Sequence, residues 1–129
     1  MIHRFPVHVY YEDTDLAGIV YYANYLRFIE RARTEMVRDM GIDQAKLKET
    51  TGMVFAVRRV EADYLAPARF DDDLTVETQI TALTGARMVM QQDVKRADAL
   101  LFQATVTIVA LTEEGQPTRL PAALRQRLN

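Results

Sequence analysis

The sequence contains no cysteine and no serine, and it has only two histidines, His3 and His8. Catalysis by a serine or cysteine nucleophile is therefore excluded, because the attacking side chain does not exist. A zinc site needs three or four ligands, usually histidine or cysteine, so we expect no metal centre. Without cysteine there are no disulfides, and nothing indicates an oxidising compartment. If the protein is a hydrolase, a carboxylate is the simplest remaining nucleophile or base.

Long apolar runs and a strong charge of one sign are also missing. The longest uncharged apolar stretch, residues 16–26, is too short to span a bilayer, and the first residues lack the features of a secretion signal. A net charge of −2 gives no overall attraction to nucleic acid or to an anionic membrane. The length of 129 residues fits one domain, residues 1–129. We therefore expect a cytoplasmic protein with no nucleic-acid partner and no integral membrane segment.

The hydrophobic periodicity predicts an α+β fold with one long helix and five strands. The first strand is expected over residues 5–11. Apolar residues then recur at helical three- and four-residue steps, namely Tyr22, Tyr25, Ile29, Ala32, Met36 and Met40. Gly41 supplies the left-handed residue that ends this helix. A short helical turn is expected in residues 43–51, and period-two alternation predicts strands over residues 53–65, 74–83, 87–95 and 100–110.

The last predicted strand has apolar residues on both faces, because Leu101, Val109 and Leu111 lie opposite its main apolar stripe. A five-stranded antiparallel sheet wrapped around one helix has one face that the helix cannot cover. We therefore expect a homo-oligomer, in which another copy of the chain covers the remaining face or edge of the sheet.

The most informative segment is DTDLAGIVYYANYLRFIERARTE, residues 13–35. Its acidic turn ends in Asp15, directly before the predicted helix, where backbone N–H groups lack acceptors and carry partial positive charge. A carboxylate beside such an amide is the minimum equipment for acyl transfer, so Asp15 and the backbone N–H of Tyr22 are our catalytic candidates. The alternative is a plain polar turn in which one acid favours the helix dipole. The apolar residues 16–22 favour catalysis, because they predict a dry cleft beside the acid. Asn24 either caps the helix or holds the turn together.

Further residues are candidates for binding the substrate. Gly18 permits close approach of a ligand to the backbone, and Val20 and Tyr21 follow it in the same apolar segment. Basic side chains suited to a phosphorylated ligand are those of Arg58, Arg59 and Arg87. Each of these arginines taken singly is also compatible with a solvated surface.

These residues resemble the hotdog-fold acyl-CoA thioesterases, in particular the 4-hydroxybenzoyl-CoA thioesterase branch and its Tol–Pal-associated relatives. The resemblance covers nearly the whole chain, and its most specific blocks are YEDTD, GIVYY, NY, ERARTE and DYLAPAR. It implies a five-stranded antiparallel sheet around a central helix, dimers often paired into tetramers, and active sites at the dimer interface. The family's catalytic aspartate falls on Asp15 and its carbonyl-polarising amide on Tyr22. The family's basic side chains meet the CoA phosphates, often from the other subunit. CoA is then part of the substrate, and no cofactor is expected.

The resemblance implies hydrolysis of a short-chain aliphatic or an aromatic acyl-CoA to the free acid and CoA. Tol–Pal-associated members commonly carry histidine where this chain has Tyr22, whereas the 4-hydroxybenzoyl branch carries tyrosine, so both acyl classes stay open. Asp15 acts either as a nucleophile or as a general base. The first competing interpretation is a non-catalytic module that binds acyl-CoA or an acyl carrier protein. The second is a hydratase or dehydratase, which usually needs a histidine, and none follows His8.

Overall fold

The computed structural model describes residues 1–126. After strand β1 (His3–His8), a 3-10 turn spans Tyr11–Asp13, and this turn ends the first strand earlier than its composition predicts. The remaining elements are α1 (Asn24–Asp39), α2 (Gln44–Thr51), β2 (Val54–Tyr64), β3 (Asp73–Leu83), β4 (Arg87–Arg96), β5 (Ala99–Leu111), β6 (Pro117–Thr118) and α3 (Ala122–Arg125).

Helix α1 carries the predicted apolar stripe and buries it against the sheet. Tyr25, Ile29 and Ala32 are almost completely buried. The helix begins at Asn24, however, and the Tyr22 side chain is 62% exposed, so including Tyr22 in the buried stripe was wrong. The left-handed stop at Gly41 is confirmed by its φ of 88°. In the chain as far as residue 126, no helix is long and apolar enough to cross a membrane.

The sheet is antiparallel, with strand order β1–β3–β4–β5–β2 and β6 added beside β5. The five predicted long strands are confirmed, but the two-residue β6 makes a sixth, which its lack of periodicity hid. Strand β5 lies between β4 and β2, and its inward side chains form the centre of the core: Phe102, Ala104, Val106, Ile108 and Ala110. Helix α3 follows Pro121 and buries Leu124.

Strand β2 is the exception to the buried pattern of the sheet. It pairs with β5 along one side only, so the backbone groups of its other side form a free edge. Its second half is exposed on both faces, with Val57 at 46%, Val60 at 39% and Tyr64 at 48% exposure. An eleven-residue edge strand with exposed apolar side chains is the kind of surface that pairs with another chain.

Candidate active site

The turn between β1 and α1 is held by Asp13, a residue whose role the sequence did not reveal. Asp13 is only 4% exposed. One carboxylate oxygen accepts the backbone N–H of Tyr10 and the other accepts the Asn24 side-chain amide, each at 2.9 Å. The Asp13 carbonyl also accepts the backbone N–H of Tyr21 at 2.9 Å. Asp13 therefore joins both ends of the segment that carries the two catalytic candidates. Asn24 holds the turn and does not cap the helix.

Asp15 lies on the exposed side of the same turn. Its Oδ1 accepts the backbone N–H of Ala17 at 2.9 Å, whereas Oδ2 accepts no hydrogen bond from residues 1–126. Its backbone N–H donates to Ile19 and its carbonyl accepts from Gly18, which closes a small loop that needs the left-handed φ of 79° at Gly18. Asp15 and the following apolar residue, Leu16, are exposed. The expected dry cleft is therefore not formed by residues 1–126 of one copy, because none of them covers this loop.

The Tyr22 amide lies at the other end of this segment, in a turn just before α1. Asn24 N–H donates to the Tyr21 carbonyl at 2.8 Å, which closes the turn, and the N–H groups of Val20 and Tyr21 donate to Ala68 and Asp13. The Tyr22 N–H has no acceptor in the described part of the chain. Because the preceding amides of Val20 and Tyr21 and the following amide of Asn24 are all engaged, the Tyr22 amide is held in place while its hydrogen is left free. The Val20 side chain is buried, and that of Tyr21 is exposed.

Aromatic side chains of α1 and of the sheet form a cluster beside this turn. Tyr25 stacks on Phe102 with ring centroids 4.9 Å apart, and its hydroxyl accepts the Ala68 N–H at 3.0 Å. Burial raises the pKa of Tyr25 above its ordinary value. Tyr64, at the end of β2, donates its hydroxyl to the Tyr22 carbonyl at 2.9 Å. Sequence reasoning treated Tyr64 as an ordinary strand residue. The only available signal was an aromatic side chain at a strand end, shortly before Pro67.

Two of the three predicted arginines lie together in the structure, and the third lies apart from them. Arg58 and Arg87 line one shallow cleft of about 800 Å³, and Arg119, which was not predicted, completes it beside β6. None of these three makes an ion pair with a carboxylate of residues 1–126. Arg59 does not line this cleft and instead pairs with Glu61 at 3.2 Å. The cleft is thus an open cationic surface that suits phosphate groups.

This arginine cleft (Arg58, Arg87 and Arg119) and the turn are far apart in one chain. Arg58 and Tyr64 lie six residues apart on the same strand, which corresponds to roughly 20 Å. A ligand that touches both must be long, or it must bridge two copies of the chain. Among residues 1–126, no group of three or more histidine and acidic side chains is placed to hold a metal ion.

The chain is similar to known thioesterases over most of its length. The Thioesterase superfamily matches residues 17–103. The acyl-CoA thioester hydrolase YbgC of Escherichia coli O6:H1 is 42% identical over 125 residues, which is 95% of this chain and 92% of that protein.

Solved structures extend the agreement to the fold. A probable thioesterase from Bartonella henselae superimposes with a TM-score of 0.90 at 41% identity, covering 94% of this chain and 100% of that one. A 4-hydroxybenzoyl-CoA thioesterase, solved as an aspartate-to-asparagine mutant with 4-hydroxybenzoyl-CoA, gives a TM-score of 0.91 at 22% identity over 99% of both chains, and so shows the shared fold. The expected hotdog fold is thereby confirmed. The chain belongs to the Thioesterase superfamily.

Proposed function

We propose that the protein hydrolyses acyl-CoA thioesters to the free acid and CoA. One observation carries this proposal. The segment that Asp13 holds in place contains a carboxylate oxygen that accepts no hydrogen bond from residues 1–126, and also a fixed amide whose N–H has no acceptor among them. Asp15 supplies the carboxylate and Tyr22 the amide. The similarity to the E. coli acyl-CoA thioester hydrolase over nearly the full length supports the same reaction.

In the proposed reaction the thioester carbonyl oxygen accepts the Tyr22 N–H, which stabilises the negative charge that develops there. By the nucleophilic route, an Asp15 oxygen bonds to the acyl carbon, the carbon–sulfur bond breaks, and CoA leaves as thiolate. Water then hydrolyses the resulting anhydride. By the general-base route, Asp15 takes a proton from the water that attacks the same carbon, the carbon–sulfur bond breaks, and CoA leaves as thiolate. Hydrolysis in heavy-oxygen water tests for the first route, because label enters the Asp15 carboxylate only when water attacks the Asp15 carboxyl carbon of an anhydride.

The decisive experiment replaces Asp15 by asparagine and measures thiol release from a panel of acyl-CoAs. Asparagine keeps an oxygen for the Ala17 N–H, so we expect the fold to persist while turnover falls about 10²–10⁴-fold. The matched control is Asp98→Asn, in the exposed β4–β5 turn, which should hydrolyse at the parent rate. Parent-level turnover by Asp15→Asn would disprove the assignment.

The same assay separates the competing interpretations. A non-catalytic binding module predicts stabilisation of the protein by acyl-CoA without release of thiol. A hydratase needs a histidine at the site, but His3 contacts Asp39, and His8 contacts Asp71 and Asp73. The panel should contain both short aliphatic and aromatic acyl groups, since both classes remain candidates. An acyl carrier protein as acyl donor and a cytoplasmic location remain predictions.

We further propose that the arginine cleft binds the phosphates of CoA. The cleft has three guanidinium groups free of carboxylate partners within residues 1–126, whereas Arg59 has Glu61. CoA carries its phosphates at the end remote from the thioester. When the thioester lies at Asp15, the phosphates are therefore expected at a cationic surface distant from Asp15.

A dimer through the free edge of β2 would bring the two features together. When two copies of one strand pair antiparallel about a two-fold axis, the start of one strand lies beside the end of the other. With the two-fold axis near Glu61, midway between Arg58 and Tyr64, Arg58 of one copy would lie beside Tyr64 of the second. Such a dimer would also cover the exposed Val57 and Val60 side chains. Pairing of two dimers into a tetramer is the further expectation.

Complementation tests this shared site. Asp15→Asn is co-expressed with an Arg87→Ala, Arg119→Ala double variant, each chain with its own tag, and the hybrid dimer is purified through both tags. With the site shared between copies, one of its two sites is intact, and at an acyl-CoA concentration below the parent KM its turnover should clearly exceed that of either parent variant. If each site lies within one chain, the hybrid gains nothing over its parents.

A further inference from the structure

Tyr64 makes a hydrogen bond that the reaction described above does not use. Its hydroxyl donates to the backbone carbonyl of Tyr22 at 2.9 Å, across 42 residues of sequence. Its ring also contacts three other rings edge-on, with centroid distances of 6.3 Å to Tyr22, 5.5 Å to Tyr25 and 5.0 Å to Phe102. The hydroxyl and the ring therefore make separate contacts, and a substitution can remove one without the other.

The Tyr22 carbonyl lies in the backbone just before the first residue of α1. In a helix continued backwards from α1 it would accept the N–H of Leu26. Leu26 instead donates to the Ala23 carbonyl at 3.1 Å, and the helix begins only at Asn24. Tyr64 is the one donor to the Tyr22 carbonyl in the part of the chain that the structure covers. The tyrosine hydroxyl thus takes the position of a helical N–H and holds Tyr22 outside the helix.

The free N–H of Tyr22 lies between two fixed groups. On one side Tyr21 donates to the Asp13 carbonyl and accepts from Asn24. On the other side the Tyr22 carbonyl is held by Tyr64. Loss of the Tyr64 contact would free only the second side, so the turn would persist while the direction of the Tyr22 N–H became less defined. A small error in the direction of a polarising donor is costly for catalysis.

We propose that Tyr64 is a positioning residue, whose hydroxyl orients the Tyr22 amide toward the thioester carbonyl. This inference rests on the proposed thioesterase function. Partial burial raises the pKa of Tyr64 above its ordinary value, so the hydroxyl keeps the proton it donates at neutral pH. Because the side chain is half exposed, water can satisfy the Tyr22 carbonyl after removal of the hydroxyl, and stability should change little.

The test replaces Tyr64 by phenylalanine, which keeps the ring contacts and removes the hydroxyl. We expect kcat to fall about tenfold or more, with KM within about twofold of the parent value. The control is Tyr11→Phe, because Tyr11 is exposed and its hydroxyl has no hydrogen bond to residues 1–126; its kinetics should match the parent. Unchanged kcat in Tyr64→Phe overturns the inference, and so does a rise in KM alone, which would indicate a plain binding contact.

A spectroscopic measurement examines the thioester carbonyl of the bound acyl-CoA. In the Asp15→Asn background the acyl-CoA is consumed only slowly, and a carbon-13 label at the thioester carbonyl reports its polarisation by infrared difference spectroscopy. Binding of the labelled acyl-CoA to Asp15→Asn should lower the stretching frequency of its thioester carbonyl. In the Asp15→Asn, Tyr64→Phe double variant this decrease should be smaller. Equal frequencies in the single and the double variant overturn the role of Tyr64. A parent protein that releases no thiol refutes the proposed function instead, so the two failures are distinguishable.

Discussion

Two aspartates of one turn, Asp13 and Asp15, have opposite environments although one residue separates them. Asp13 is buried and both of its oxygens accept hydrogen bonds, from Tyr10 and Asn24. Asp15 is exposed and has one oxygen free of partners in residues 1–126. The first carboxylate is used to build the turn, and the second is left available for chemistry. The DTD sequence alone does not say which is which, because the assignment depends on where β1 ends and which side of the turn meets α1.

The largest effect on stability should come from Asp13→Ala. It leaves the buried Asn24 amide and the partly buried Tyr10 N–H without acceptors, and loss of the acceptor of a buried donor costs about 1–3 kcal/mol. For a domain of this size, every kcal/mol lowers Tm by about 4 °C. Asp15→Ala should change the free energy of unfolding by less than about 0.5 kcal/mol, because the site is exposed. Thermal unfolding of both variants checks the comparison, and equal losses would contradict it.

Asn24→Ala sharpens the same comparison. It removes the partner of one Asp13 oxygen, so its effect should overlap with that of Asp13→Ala. A double-mutant cycle should give a coupling energy of about 1 kcal/mol or more. Additive losses would mean that the contact at 2.9 Å contributes nothing to stability.

The arginines allow a comparison of a guanidinium that is free of carboxylate partners within residues 1–126 with one that is paired. Arg119→Ala removes a free guanidinium from the cleft and should raise KM for acyl-CoA about fivefold, as expected for one charge-assisted hydrogen bond at an exposed site. Arg59→Ala should have a smaller effect, since that side chain is paired with Glu61. Both effects should shrink at high salt. Steady-state kinetics at two ionic strengths give the ranking, and a larger effect for Arg59 would reverse the assignment.

The smallest expected effect is a pH dependence of stability at His8, the last residue of β1. Nδ1 lies 2.7 Å from Asp73 and Nε2 lies 3.2 Å from Asp71, and only the imidazolium can donate to both. The hydrogen bonds to Asp73 and then Asp71 raise the pKa of His8 above its ordinary 6.5. The pair therefore stabilises the fold fully below pH 6.5, and this stabilisation is lost as pH rises through the raised pKa.

Thermal unfolding of His8→Gln beside the parent measures this effect. The Tm difference should be largest near about pH 5.5 and should vanish by about pH 9. A difference that stays constant over this range would show that His8 contributes through packing alone.

The sequence predicted those features that depend on local periodicity. The apolar stripe through Tyr25 and Ile29, the stop at Gly41 and the alternation of β5 were all visible in it. The exposure of Tyr22 was not visible in the sequence. Tyr22 fits the helical spacing of the apolar residues, but in the structure it lies in a turn before the helix begins. Strand alternation predicted β2 but not its exposure, which depends on its place at the sheet edge.

The site was predicted in the same uneven way. Asp15 and the Tyr22 amide follow from a short segment, whereas Tyr64 reaches Tyr22 across 42 residues. Arg119 joins Arg58 and Arg87 only because β6 folds back on β5, and a two-residue strand leaves no periodic signal. Contacts made by long-range pairing cannot be read from composition or spacing.

The C-terminal segment after β5 has a consequence for engineering. Leu120 and Leu124 anchor it in the core, and it carries Arg119 against Gly85 on the β3–β4 hairpin, so close that a Cβ on Gly85 would lie 2.9 Å from the guanidinium. This anchored segment shares no contact with the Asp15 loop among the described hydrogen bonds. Affinity for the nucleotide portion of a substrate could therefore be retuned by exchanging this segment, leaving the bond-breaking machinery untouched.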